Sequence, residues 1–196
     1  MSYKPVTSKG ELTRQKLLDA AEQIFGEKGY YETSIVDITQ KAEVAQGTFY
    51  KYFTSKKEIY DELVRELNRT FRYEIRKAVE QAKSEKEAQI TGIRTFFKWV
   101  KNHRNLYSIV QQAILVDPAL YRWYYERIAE GYIRGLERAI GAGKFKALNP
   151  DTMAYMLMGI SQFIGMRYVL WHDQEVPESV IRDMEIAIFE GIGKED

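Results

Sequence analysis

Cysteine is absent from the 196 residues, which excludes disulfides and thiolate-held metals. Histidine is nearly absent. His103 and His172 fall in different predicted helices with no partner at ligand spacing, so no metal site is expected. Only 4 prolines and 13 glycines argue against a β-rich or disordered chain. An excess of one charge is missing too: the net charge is +1, so bulk electrostatics give little support to nucleic-acid binding. No HExxH, GxSxG, GxxxxGK[ST] or GxGxxG pattern occurs, and the expectation is therefore no catalytic residue, no cofactor and no enzyme. The opening MSYKPVTSKGE has neither an apolar core nor a cleavage pattern, so a signal peptide is not expected and a cytoplasmic location is.

Residues 34–58, SIVDITQKAEVAQGTFYKYFTSKKE, are the most informative stretch present. They read as a short helix capped by Ser34 with Asp37, a turn around Glu43–Ala45, a second short helix over Gln46–Tyr52, and the start of a long third one at Ser55-Lys-Lys-Glu58, a capping box. At about 100° per residue Phe49 and Phe53 share one side of the second short helix. Gly47, Thr48 and Lys51 take the opposite arc, flanked by Tyr50 and Tyr52. A helix entering the major groove needs an anchored back, a slim front and donors for base edges and phosphates. Thr48 and Lys51 are candidates for base edges, Tyr50 and Tyr52 for phosphates, and Gly47 for close backbone approach. Backbone N–H groups near Thr33 and Ser34, and Lys56 at the next helix start, are candidates for phosphate. Tyr52 has a rival role, packing against the first helix. The first 60 residues carry nine Lys/Arg against eight acids, so any signal lies in where the cations sit.

Residues 11–60 resemble the N-terminal domain of the TetR family of transcriptional regulators. The resemblance rests on Leu17-Leu18-Asp19-Ala20-Ala21 with Phe25, Lys28-Gly29-Tyr30, Thr33-Ser34, Ile38, Ala42, the run Val44 to Phe53, and Ser55-Lys56-Lys57-Glu58-Ile59. It implies the roles just given, with Gln46 opening the reading helix, and a double-stranded DNA partner. It covers about a quarter of the chain; the rest agrees only in length and helical character.

The chain around this stretch is helical by pattern. Residues 1–10 read as a mobile arm with Lys4 and Lys9. Residues 11–28 form a helix burying Leu17, Leu18, Ala21, Ile24 and Phe25 and ending at Gly29. From Ser55 to about Ala82 no proline or glycine intervenes, roughly 40 Å of helix at 1.5 Å per residue. Further helices follow over 86–103, 105–116, 119–141, 151–172 and from 177. The expected class is all-α: an N-terminal three-helix, helix-turn-helix domain over 1–55 and a C-terminal helical bundle for ligand binding and dimerisation over 56–196.

The nearly apolar run Thr152–Trp171 contains Ser161, Gln162 and Arg167 and has no second span to join it, so no membrane role is expected. It reads instead as half of a homodimer interface with residues 178–191, where Gly159, Ser161 and Gly165 allow close approach. A cluster of large, soft side chains suggests an adaptable pocket for a small-molecule effector. Its candidates are Trp99, Tyr107, Gln111, Trp123, Tyr124, Tyr155, Met156, Phe163 and Arg167. An inward Arg167 would favour an anionic effector such as an acyl conjugate, an outward one a neutral ligand. The leading function is a ligand-responsive repressor on a palindromic operator. Its rivals are a non-sequence-specific nucleic-acid binder and a helical small-molecule carrier with a vestigial DNA-binding domain.

Overall fold

The computed structural model describes residues 7–192, and every regular element among them is helical. Helix α1 (Ser8–Lys28) starts where the Thr7 hydroxyl accepts from the Gly10 N–H at 3.2 Å. It stops at Gly29, whose φ of 85° suits a residue without Cβ and whose N–H donates to the Phe25 carbonyl. Its buried stripe holds Leu17, Leu18, Ala21, Ile24 and Phe25, as periodicity predicts, and Ala20 besides. Of the expected N-terminal arm, residues 1–6 with Lys4 lie outside the described residues, and Ser8–Gly10 already belong to α1.

Helix α2 (Ile35–Lys41) opens on a complete capping box: Ser34 Oγ accepts from the Asp37 N–H, and the Asp37 carboxylate accepts from the Ser34 N–H. Glu43, at φ 55°, turns the chain into α3 (Gln46–Phe49). That helix is shorter than the predicted Gln46–Tyr52. Lys51 and Tyr52 donate three residues back, to Thr48 and Phe49, so the second half is a tight turn. Helix α4 (Lys56–Val79) also starts differently in detail. Ser55 Oγ accepts from the Glu58 N–H as expected, but the Glu58 carboxylate reaches Thr54, one residue before the predicted partner.

The remaining elements are α5 (Glu85–Asn102), α6 (Arg104–Val116), α7 (Pro118–Gly141), α8 (Pro150–Gly165), a π-helical run Met166–Trp171 and α9 (Glu178–Phe189). Polar caps set their starts: Ser84 for α5, the Asp117 carboxylate for α7, and Asn149 before Pro150 for α8. No helix among the described residues is long and apolar enough to cross a membrane.

The chain divides into two compact units. One contains the helices up to Asn68 together with Arg104–Tyr124; the other contains Arg69–His103 and the chain from Tyr125. The sequence reading drew its boundary at 55/56, whereas the first compact unit follows α4 to Asn68 and also takes in α6. Side chains explain why. Asn105 sits so close to Gly26 that a Cβ there would lie 2.6 Å from the asparagine's own Cβ. The Gln112 amide accepts from the Tyr30 N–H at 2.8 Å and donates to the Phe25 carbonyl at 3.3 Å, gripping the end of α1. The buried Tyr60 hydroxyl donates to the Ile109 carbonyl at 2.7 Å, and Phe25 and Tyr30 pack around its ring. Sequence periodicity finds the apolar side of α6 but not the partner it chooses.

Lys57 bridges Asp61 at 2.5 Å and Asp117 at 2.6 Å. This ion pair holds the Asp117 carboxyl below the usual carboxylate range, the Lys57 hydrogen bond being the chief cause. A carboxyl depressed in the folded state stabilises above its unfolded pKa of about 4 and loses that contribution as pH falls through its folded value. Asp117→Asn is therefore expected to lower stability at neutral pH and to converge with the wild type below about pH 4. Urea melts at several pH values measure this; an equal deficit at all pH values would show that the pair does not act through ionisation.

The second unit is built on two apolar clusters. Ile90, Ile93 and Phe97 of α5 pack with Ile181 and Met184 of α9. Leu136 of α7 packs with Ala154 and Leu157 of α8. Gly165 ends α8 against α5, where a Cβ would meet Phe96 at 3.2 Å.

Candidate nucleic-acid interface and effector cavity

The back of α3 is fixed by Phe49, which is 0% exposed and packs against the equally buried Phe53 at a ring separation of 5.7 Å. Anchored this way, α3 turns Gln46, Gly47, Tyr50 and Lys51 to solvent, with Thr48 and Tyr52 half-buried at the edges. Tyr50 is 53% exposed, with its ring edge-on to Phe49. A Cβ at Gly47 would meet nothing within 4 Å. Nothing inside the protein therefore requires a glycine at a position where it weakens the helix by roughly 0.5–1 kcal/mol.

Two neighbouring placements correct the sequence reading. Lys56 does not reach outward. Its ammonium lies 4.4 Å from the centre of the Tyr30 ring and donates to the carbonyls of Tyr30 at 2.7 Å and Thr33 at 2.6 Å. Burial lowers its pKa, against the pull of Glu32 and Asp37. Lys56 thus ties the α1–α2 connection to the first turn of α4. Thr33 is buried, its hydroxyl donates to the Gly29 carbonyl at 2.6 Å and its N–H to the Tyr30 carbonyl. The Ser34 N–H is likewise taken by Asp37, although its side chain is exposed.

In the second unit a cavity of about 480 Å³ opens among α4, α5 and α7, within the usual range for small-molecule sites. Phe71, Ile75 and Val79 of α4, Ala88 and Gly92 of α5, and Ile128, Gly131, Tyr132 and Gly135 of α7 give it apolar walls. Gly131 and Gly135 lie one turn apart, and a Cβ on either would meet nothing within 4 Å. Burial pushes the Tyr132 phenol up to about 12, which keeps it a neutral donor. Arginines complete the lining: Arg69, Arg72 and Arg76 from α4, and Arg134 and Arg138 from α7, against the single carboxylate of Glu85.

None of the nine sequence-derived effector candidates lines this cavity. Tyr107 and Tyr124 are buried in the first unit, where Gln111 and Trp123 also lie, and Arg65 stacks over the Trp123 ring at 4.5 Å. Trp99 is buried in the second unit against Phe71 and stacked on His103. Tyr155, Met156 and Phe163 of α8 are exposed, as is Arg167 in the π-helical run, where its guanidinium lies near the Tyr168 ring. Arg167 thus takes the outward placement for which the sequence reading expected a neutral ligand, while the cavity, which it does not line, carries arginines of its own. The residues that line the cavity left a pattern in the sequence: arginines spaced i, i+3, i+7 on α4 and i, i+4 on α7, with glycines at i, i+4 beside them. Aromatic content drew attention elsewhere.

Met156, Ile160 and Phe163 form an exposed apolar stripe on α8, with Tyr155 beside it and Trp171 and Ile186 exposed nearby in sequence order. Of the three small residues expected on that face none is exposed, and Gly159 is half-buried. Ser161 is buried and Gly165 is pressed against α5, because the helix uses them to close its own unit.

Residues 17–63 match the family described as "Bacterial regulatory proteins, tetR family". The chain is 24% identical over 191 residues to the "Uncharacterized HTH-type transcriptional regulator YhgD" of Bacillus subtilis, covering 92% of this chain and 97% of that one. It is 26% identical over 128 residues to the "Fatty acid metabolism regulator protein" of the same organism, covering 65% and 66% of the two chains. In three dimensions it is similar to the FadR regulator of Bacillus subtilis solved in complex with stearoyl-CoA, with a TM-score of 0.82 at 21% identity over 91% of this chain and 99% of that one. With the helix-turn-helix geometry and these matches together, residues 17–63 form an N-terminal domain of the tetR type, and over most of its length the chain is similar to bacterial helix-turn-helix transcriptional regulators.

Proposed function

We propose that the protein is a homodimeric repressor that binds a palindromic operator and leaves it when an amphipathic small molecule fills the α4–α5–α7 cavity. One observation carries the DNA half. The outward strip of α3 and the turn after it, with Gly47, Tyr50 and Lys51 exposed, stands on a Phe49 that is wholly buried. Gly47 then serves contact with a partner rather than the fold. Lys51 and Thr48 read base edges, while the Tyr50 phenol donates to phosphate. At the start of α2 the N–H groups of Ile35 and Val36, beyond those engaged by the capping box, take a phosphate with help from the helix dipole. Two-fold symmetry sets half-sites about 34 Å apart, or a multiple of it.

The effector half rests on the cavity's mixed character: apolar walls and arginines suit an anionic conjugate of an apolar chain. The FadR neighbour's stearoyl-CoA makes an acyl thioester of coenzyme A the first molecule to try. Coupling between effector and operator of about 1–3 kcal/mol is typical for such switches. The stripe Met156, Ile160 and Phe163 supports α8 as the centre of the dimer face.

Footprinting and operator selection at several salt concentrations test this reading. Lys51→Ala is expected to cost about 1–3 kcal/mol at its base pair and to relax preference there, whereas Tyr50→Phe weakens all sequences alike. Binding without sequence preference or palindrome would instead favour a non-specific nucleic-acid binder.

A further inference from the structure

We propose that one turn of α7, from Gly131 to Gly135, reads the carbonyl of the effector: Tyr132 donates a hydrogen bond to it, and the two glycines leave the helix bare so that the chain beside that carbonyl can lie close. The inference rests on the effector reading above and names the group by which the effector is recognised. Gly131, Tyr132 and Gly135 all line the second-unit cavity. The glycines stand in the interior of α7, where glycine is disfavoured relative to alanine. Elsewhere the fold itself supplies the reason for a glycine. A Cβ would lie 2.6 Å from Asn105 at Gly26 and 3.2 Å from Phe96 at Gly165. At Gly131 and Gly135 a Cβ would meet nothing within 4 Å, and neither has a positive φ. Two alanines would therefore fit the folded protein and strengthen the helix.

The second observation is Tyr132 itself. Its ring packs against Leu136, Ala154 and Leu157. Its hydroxyl has no hydrogen bond among the described residues, and burial alone sets its acidity. A buried tyrosine hydroxyl ordinarily has a partner, because stripping it of water without one is costly. The phenol stays protonated across the physiological range, so it offers a donor throughout. The partner it calls for is an acceptor that enters with the ligand. An acyl thioester has one, a carbonyl at the head of an unbranched chain. Phe71, Ile75 and Val79, at i, i+4 and i+8, give α4 an apolar stripe roughly 12 Å long in the same cavity. The chain packs on that stripe, and the bare α7 backbone gives it room. An alkyl group of the same length buries as much apolar surface but leaves the phenol without an acceptor. The site therefore separates acyl from alkyl compounds, because the alkyl ligand leaves a polar group buried and unpaired.

The test titrates the full-length protein by calorimetry with stearoyl-CoA and with S-octadecyl-coenzyme A, the thioether that lacks the carbonyl. Fluorescence anisotropy on the selected operator reads release of DNA. Wild-type protein should bind the thioester about three- to ten-fold more tightly than the thioether, the worth of one neutral hydrogen bond. Tyr132→Phe should erase that difference by weakening stearoyl-CoA alone. Gly131→Ala/Gly135→Ala should weaken both ligands about five-fold or more by filling the room beside the chain. The same variant should melt at a higher temperature, the opposite of what glycines required by the fold would give. Circular dichroism melts report whether each variant is folded, and the wild-type comparison of the two ligands needs no variant at all. Equal wild-type affinity for thioester and thioether overturns the inference. So does equal weakening of both ligands by Tyr132→Phe, or a glycine variant that melts lower or binds both ligands as the wild type does. Release of DNA by stearoyl-CoA in any of those cases leaves the effector reading standing. If the expected pattern of affinities holds but DNA is never released, the effector reading falls and the carbonyl site stands. If neither ligand binds, both fall.

Discussion

Phe49→Ala will destabilise the first unit by about 3–5 kcal/mol and, on the function proposed above, abolish operator binding in the same stroke. The side chain is 0% exposed and lies at the end of a helix only four residues long. So short a helix has almost no stability of its own, because its few hydrogen bonds scarcely offset the cost of nucleation. Its position is held by this ring against Phe53 and by the turn bonds that follow. A domain typically has 5–15 kcal/mol to lose, so the substitution removes a large share. Urea denaturation and DNA anisotropy on the same preparations check it. Lys51→Ala is the contrasting variant: an exposed position with a denaturation midpoint near wild type but weakened binding. A Phe49→Ala protein that keeps its midpoint would show that the reading helix is held by something other than its buried face.

Phe163→Glu is expected to separate the proposed dimer. In an isolated protomer this side chain is 66% exposed, so the change should move protomer stability by no more than about 0.5 kcal/mol. In an interface with two-fold symmetry the same change occurs twice, bringing two carboxylates into an apolar contact at several kcal/mol each. The dimer dissociation constant should rise at least about a hundred-fold, equivalent to some 3 kcal/mol. Operator affinity falls with it, since a lone reading head loses the gain of a linked second half-site. Sedimentation velocity across a concentration series decides the matter. An unchanged dimer with Phe163→Glu would remove α8 from the interface.

Local rules made much of the fold legible. The stripe of α1, the Ser34–Asp37 box, the Gly29 stop, the Asn149-Pro150 start and the Phe49–Phe53 pair all follow from spacing and cap chemistry within a few residues. What sequence did not disclose depends on partners distant in the chain. Lys56 looks like a surface cation at a helix start, and only the carbonyls of the folded α1–α2 connection turn it inward. Gln111 and Gln112 look alike in sequence, yet Gln112 grips the end of α1. Arg69, Arg72 and Arg76 read as an ordinary solvated helix face until α7 brings Arg134 and Arg138 to the same cavity. The aromatic cluster is dispersed for a related reason. Large rings serve first to fill whichever unit they fold into, and Tyr107 and Tyr124 fill the first while Trp99 fills the second.

The meeting of Gly26 with Asn105 has a mechanical corollary. With α6 seated in a notch that only a bare backbone provides, and with Gln112 gripping the same end of α1, the two helices cannot slide lengthwise past each other without emptying the notch. They can still tilt about it. Any side chain at position 26 would have to push Asn105 aside, and so part α6 from α1.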